Sequence, residues 1–170
     1  MPSETSSQRP AQSSGNGAGI KYSPPIEPGS DVKVSCKSPA HKNRLRHGVD
    51  FIVPEGTPIK AAADGMVVEL KQDSSRGEDD EGYDQESNYI EIEHHKKDGG
   101  KEYSIYEHIR KDGSLVKLGE RVKRGQVIGY SGATGWLGGL GPHLHFDVHT
   151  YFGEGLDDYE TIEIVWEGNE

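Results

Sequence analysis

The sequence predicts an all-β domain with little helix, on three observations. Glycine supplies 23 of 170 residues, about twice its usual share, and glycine enters the left-handed backbone region that tight turns demand without steric cost. Apolar and polar residues alternate in short runs such as Tyr89–His94 and Leu144–Val148, which puts every second side chain on one face of a strand. No segment sustains the 3.6-residue period of an amphipathic helix. The expected architecture is a set of antiparallel sheets in a compact, barrel-sandwich-like arrangement of duplicated hairpins.

Residues 1–19 contain no Leu, Ile or Val, so burial cannot offset the entropy of ordering them and they are expected to be disordered. Residues 20–30, with Pro24-Pro25 and Pro28-Gly29, read as an extended lead-in. The single domain is therefore placed at 31–170, after a disordered segment and lead-in at 1–30.

Asp31–Ser35 alternates and reads as a short first strand, Val49–Val53 as a second. Pro54 and Pro58 bracket a turn whose dihedrals they pre-set. Ile59–Ala62 and Met66–Leu70 follow as strands around a turn at Ala63-Asp64-Gly65. Asn88–His94 and Glu102–His108 flank Lys97-Asp98-Gly99-Gly100 and should pair as a hairpin. Gly56-Thr-Pro-Ile59 with Gly65 has an echo in Gly119-Glu-Arg-Val122 with Gly125, which suggests two similar hairpin units packed on each other. Thr161–Trp166 reads as a closing strand with Ile162, Ile164 and Trp166 inward. The acidic stretch Asp73–Glu86 reads as a solvated insertion in preference to a substrate-selecting wall or a calcium loop, for it lacks the oxygen-ligand spacing of an EF-hand. The glycine-rich run Ser131–Gly141 reads either as a groove wall carrying Trp136 or as a flexible loop.

A formal charge of −10 argues against a nucleic-acid partner, which would need clustered Lys and Arg to displace counterions. Lys117, Arg121, Lys123 and Arg124 are interleaved with apolar residues and fit a solvated strand face. Cys36 is the single cysteine, so no internal disulfide forms. No apolar run reaches the roughly 18 residues of a membrane span, and no secretion signal is visible in the chain as given. The chain is expected to act as a monomer.

The chemistry concentrates at Gly141-Pro-His-Leu-His-Phe-Asp-Val148. On a strand, Leu144, Phe146 and Val148 share a core face while His143, His145 and Asp147 share the other. Two imidazoles at i and i+2 stand roughly 6.6 Å apart, near enough for one to hold a metal and the other to reach what it binds. A hydrolytic zinc site needs three protein ligands and an open position. Asp50, just after a histidine-bearing loop, is the acidic residue most suggestively placed. His94 and His95, at a strand end, read as surface groups, and His149 as peripheral.

Taken together, His47-Gly-Val-Asp50-Phe51, Pro54-Glu-Gly-Thr-Pro-Ile59, Asn88-Tyr-Ile90, Tyr106-Glu-His108, Val116–Gly119, Val122–Gly129, Ser131–Gly135 and Gly141–Phe146 resemble the M23 family of zinc metalloendopeptidases, the lysostaphin and LytM type. The resemblance covers about residues 41–149. It implies a Zn2+ cofactor held by Asp50 and His145, with His108 and His143 lining the site to handle the proton and the developing oxyanion. It also implies a peptide substrate, the cross-links or stem peptides of bacterial peptidoglycan, and by that substrate a secreted or cell-envelope location.

The first ligand departs from the family pattern. Most relatives have a histidine four residues before the aspartate, where this chain has Arg46, whose guanidinium has no lone pair to give. His41 and His47, nine and three residues before Asp50, could each replace it, and His41 is preferred. A non-catalytic module with a degenerate metal site is the alternative that Arg46 motivates. A biotinyl- or lipoyl-carrier reading of Val116–Val127 fails for want of a lysine displayed at a tight turn.

Overall fold

A computed structural model describes residues 19–29, 32–155 and 157–168. Its strands are β1 (Lys33–Ser35), β2 (Val49–Ile52), β3 (Pro58–Lys60), β4 (Gly65–Lys71), β5 (Gly77–Glu78), β6 (Tyr89–His95), β7 (Lys101–Glu107), β8 (Ile109–Ser114), β9 (Arg121–Val122), β10 (Val127–Ser131), β11 (Gly135–Trp136), β12 (Leu144–Tyr151) and β13 (Tyr159–Thr161). The helical content among the described residues is two 3-10 turns, Asn43–Leu45 and Glu81–Glu86. The all-β class is as the sequence predicts.

The large sheet runs β1-β2-β12-β7-β6-β4-β9, antiparallel throughout. Strand β12 lies inside it. One of its edges is taken by β7, and the other is shared by β2 at Leu144–Phe146 and β13 at His149–Tyr151. A smaller sheet, β3-β10-β8, packs nearby, and β5 and β11 form a parallel pair. The hairpin expected from Lys97–Gly100 is β6–β7, in unbroken register from Tyr89↔Glu107 to His95↔Lys101.

The core is built from one face of each strand: Ile59, Val67, Ile90, Ile92, Tyr106, Ile109, Ile128, Leu144, Phe146 and Val148 are all buried. Each such aliphatic or aromatic side chain contributes roughly 1.5–3 kcal/mol of apolar transfer. Tyr106 enters this core because its hydroxyl is satisfied there, accepting from Ala62 N at 2.8 Å and donating to Ser104 Oγ at 3.1 Å, whose own proton goes to His94.

The echoed units interlock rather than closing on themselves. Strand β3 of the first pairs with β10 of the second, and β4 pairs with β9. Gly56 and Gly119 open the two units with the same positive φ of 82°, a conformation in which a side chain would be strained.

Two expectations are corrected. His94 is a core residue, not a surface one: it shares the inward face of β6 with Ile90 and Ile92, its Nδ1 donates to the Asp64 carbonyl at 2.7 Å, and its Nε2 lies 2.8 Å from Ser104 Oγ. The Tyr22 ring packs edge-on against it at 5.4 Å, a long-range contact that strand position cannot reveal. His95 does sit outward, exposed. The closing strand stops at Thr161. Beyond it the backbone bonds to the lead-in, with Tyr22 N donating to Val165 O and Glu167 N to Tyr22 O, while Ile162, Ile164 and Trp166 still pack on the core. The lead-in is docked: Tyr22 and Ile26 are buried, and Ser23 N and Lys60 N pair with Ala62 O and Pro25 O. The disorder expected for residues 1–18 lies outside the described residues.

Candidate metal centre

Strand pairing brings the two halves of the site together. Antiparallel β2 and β12 set Asp50 opposite His145, while their neighbours Val49, Phe51, Leu144 and Phe146 are anchored in the core. Asp50 Oδ1 and His145 Nδ1 are 2.9 Å apart. The third group comes from the loop after β1. Backbone bonds His41 N to Ser38 O, Leu45 N to Lys42 O and Gly48 N to Leu45 O coil residues 38–48 tightly, and His41 Nε2 arrives 3.1 Å from His145 Nδ1 and 3.4 Å from Asp50 Oδ1. The candidate ligand atoms of all three lie within 4.8 Å of one another.

Gly48 makes this approach possible. A Cβ there would stand 2.7 Å from His145 Cε1 and 2.8 Å from His41 Nε2 and Cδ2, closer than packed atoms allow.

His47 is not brought to the group. Its amide donates to Thr161 Oγ1, and the residue lines a separate cavity of about 380 Å3 with Cys36, Arg46 and Glu163. Arg46 is exposed and donates to the Asn43 carbonyl, so it does not occupy the position among His41, Asp50 and His145.

The residues fit a divalent cation. His145 Nε2 lies 3.1 Å from Asp147 Oδ2; a carboxylate only accepts, so that nitrogen carries the proton and Nδ1 is left as a lone pair facing the Asp50 carboxylate. Two acceptors at that distance require positive charge between or beside them. Without a metal, a second proton must supply it: burial opposes charge on His145, but hydrogen bonds with Asp147 and Asp50 hold its pKa well above the usual imidazole range. Burial likewise opposes a charged Asp50, and its bonds with His145 and His41 outweigh this and hold its carboxyl far below the usual range. Asp50 Oδ2 and His41 Nδ1 are buried with no hydrogen-bond partner, and an orphaned buried acceptor costs about 1–3 kcal/mol. Two imidazole nitrogens and one carboxylate oxygen are a catalytic zinc donor set.

His108 and His143 stand beside this group with ring centroids 4.4 Å apart. Each donates Nδ1–H to a backbone carbonyl, His108 to Thr134 at 2.7 Å and His143 to Gly141 at 2.8 Å, which leaves Nε2 as the acceptor. His143 Nε2 is 3.8 Å from Asp50 Oδ1. Burial pushes the His108 pKa down to about 3 and lowers that of His143, which favours the neutral form of both rings at neutral pH. His108 sits at φ +66° between β7 and β8, a left-handed conformation uncommon outside glycine, though histidine is among the residues that adopt it.

A cavity of about 450 Å3 adjoins these five residues. The acidic insertion is largely exposed, as the sequence predicts, and its far end reaches the cavity. Strand β5 pairs with β11 through Gly77↔Gly135 and Glu78↔Trp136, Asp80 caps the Glu81–Glu86 turn by accepting from Gly82 N at 2.7 Å, and Ser74 is tied to Asn88 and Glu86. Asp84 and Gln85 of the insertion, Ser87 just after it and Trp136 of the glycine-rich run all line the cavity. A Cβ at Gly77 would be 1.9 Å from Ala133 O, so the joint requires glycine.

His149, read from sequence as peripheral, is buried. Its Nδ1 donates to Asp147 Oδ1 at 2.8 Å and its Nε2 to Glu91 Oε1 at 2.7 Å. Burial opposes its charge, yet the two carboxylates raise its pKa to about 9. The signal that could have found this network is the i, i+2, i+4 spacing of His145, Asp147 and His149 on one strand face.

Residues 44–157 match the family described as Peptidase family M23. An uncharacterized metalloprotease of Haemophilus influenzae is 35% identical over 130 residues, 76% of this chain and 22% of that protein. The peptidoglycan DD-endopeptidase ShyB of Vibrio cholerae is 38% identical over 104 residues, 60% of this chain and 20% of the relative. A crystal structure of a zinc-containing peptidase from Vibrio cholerae aligns with a TM-score of 0.51 and 31% identity, covering 76% of this chain and 36% of that one. The chain thus spans between a fifth and a quarter of the length of these curated relatives. With the match running from Arg44 to Asp157, across the strands that carry the site, the chain belongs to peptidase family M23.

Proposed function

We propose that this chain is a zinc-dependent endopeptidase domain that hydrolyses cross-links or stem peptides of bacterial peptidoglycan, with His41, Asp50 and His145 as zinc ligands and His108 and His143 as catalytic residues. The observation that carries the reading is the convergence of three metal-ligand atoms beside two neutral imidazoles whose Nδ1 atoms are already committed. The substrate class is supported by the resemblance and by the relative named as a peptidoglycan endopeptidase. That substrate points to a secreted or envelope location.

Zinc held by the three ligands supplies Lewis acidity at neutral pH. His108 and His143, each with Nε2 free to accept, can take the proton of an attacking water. A ring that has taken it becomes an N–H donor, suited to the oxyanion of the tetrahedral intermediate. The Nδ1 bonds to Thr134 and Gly141 prevent either ring from turning away. Trp136 and the folded insertion 73–86 form walls along which an extended peptide would lie. One chain supplies all five residues, so a monomer suffices.

The test combines metal analysis with digestion of purified peptidoglycan. The expected result is one zinc per chain and release of soluble peptide that chelation stops, both lost in Asp50→Ala and His145→Ala. Zinc and cleavage persisting in those variants would refute the assignment.

A further inference from the structure

We propose that Asp147 is a positioning residue for the metal centre and that His149 and Glu91 hold it in place, so that three buried side chains act in series behind His145. The proposal rests on the assignment of His145 as a zinc ligand.

The geometry of β12 starts the series. His145, Asp147 and His149 occupy alternate positions and so share one face. Asp147 uses both oxygens, Oδ2 3.1 Å from His145 Nε2 and Oδ1 2.8 Å from His149 Nδ1. With both ends engaged, its carboxylate cannot rotate, and it keeps the His145 proton on Nε2. That proton leaves Nδ1 unprotonated and directed at Asp50 and His41, the form a metal requires. Anchoring the non-ligating nitrogen of a metal-bound imidazole in this way sets both tautomer and ring orientation.

His149 in turn is held on every side. Its Nε2 reaches Glu91 Oε1 at 2.7 Å, and the same oxygen accepts from Tyr151 Oη at 2.8 Å. Tyr103, its partner across β7, stacks on the ring at 5.8 Å with planes 16° apart, and Tyr159 lies 4.7 Å away. Glu91 comes from β6, two strands from β12, so the series ties the ligand strand to the centre of the sheet. Asp147, His149 and Glu91 are all less than 5% exposed, so water cannot readily replace a lost bond.

The experiment measures zinc affinity by chelator competition and the ligand-field spectrum of the Co(II)-loaded protein, for the unchanged chain and for Asp147→Ala, Asp147→Asn and His149→Gln. Glu102→Gln serves as a control, because Glu102 is also a buried carboxylate of the sheet, on β7, and holds Tyr22 and Lys96, which have no contact with the series. Asp147→Ala should raise the zinc dissociation constant about 10–100-fold. Asp147→Asn, which keeps an acceptor but not the charge, should fall between, with a shifted Co(II) spectrum. His149→Gln should weaken zinc in the parent background and add little to Asp147→Ala, whereas Glu102→Gln should change neither reading. The idea is overturned if folded Asp147→Asn and His149→Gln match the parent in both readings, or if His149→Gln has its full effect in the Asp147→Ala background. Should Asp147→Ala not fold, Asp147→Asn and His149→Gln still decide. Loss of zinc in Asp50→Ala alongside unchanged Asp147 variants would spare the metal-site assignment and sink only the relay.

Discussion

Asp50 and His145 face each other across the β2–β12 pair, Oδ1 to Nδ1 at 2.9 Å, although 95 positions separate them in the chain. Neither can shift alone, because their strand neighbours Phe51, Leu144 and Phe146 are fixed in the core. Holding a carboxylate against an imidazole lone pair in a buried site is unfavourable until a cation or proton joins them, so metal binding should be coupled to stability.

That coupling is directly measurable. Ligands that bind only the folded state stabilise it by RT ln(1 + [L]/Kd), about 4 kcal/mol at a thousandfold excess over Kd. Saturating zinc should raise the melting temperature of the chelated protein by several degrees, and Asp50→Ala should abolish the rise. Calorimetry with and without zinc is the check, and an unchanged rise in the variant would place the metal elsewhere.

Gly48→Ala should damage the site without touching a ligand. The added methyl meets His145 and His41 at 2.7–2.8 Å, and overpacking of this kind typically costs about 1–3 kcal/mol. The expected outcome is at least a tenfold loss of zinc affinity with the sheet spectrum retained by circular dichroism. Parent-like affinity would mean that His41 does not need its observed position.

His108→Gln should separate chemistry from binding. The change removes the Nε2 acceptor without removing a proposed ligand, so zinc content should stay near one per chain while kcat falls by about 10²–10⁴. A fall in kcat matched by loss of zinc would instead make His108 part of the metal-holding set.

His94 should contribute an acid-sensitive share of stability. Burial lowers its folded pKa to about 4 from 6.5, so between those values the unfolded chain binds a proton that the folded chain does not. The contribution is therefore complete above pH 6.5 and is lost as pH falls, on the order of 3 kcal/mol by pH 4. His94→Gln should be less stable than the parent at pH 7, with the gap narrowing on acidification. Urea titrations of both proteins from pH 7 to 4, with chelator present throughout, read this out. A gap independent of pH would show that His94 titrates normally.

Much of this protein is determined locally. The all-β class, the β6–β7 hairpin and the inward face Leu144-Phe146-Val148 follow from two-residue alternation and turn residues, which act over short stretches of chain. Motif blocks marked Asp50, His108, His143 and His145 as candidates, because residues that share one strand face or one motif recur at fixed spacing. Pairing and burial were decided only in three dimensions. The sequence left His41 and His47 both open as partners for Asp50, and the coil of residues 38–48 with the bare Cα of Gly48 brings one ring to the site and turns the other away. His94 and His149 look like surface imidazoles when read along the strand, yet Tyr22 covers one and the carboxylates of Asp147 and Glu91 receive the other. The acidic insertion is solvated, as its polar composition predicts, but the β5–β11 pairing that anchors it joins segments too far apart in sequence for any local period to register. A side chain's face is set by the residues beside it, but its partner is set by which distant strand arrives against it.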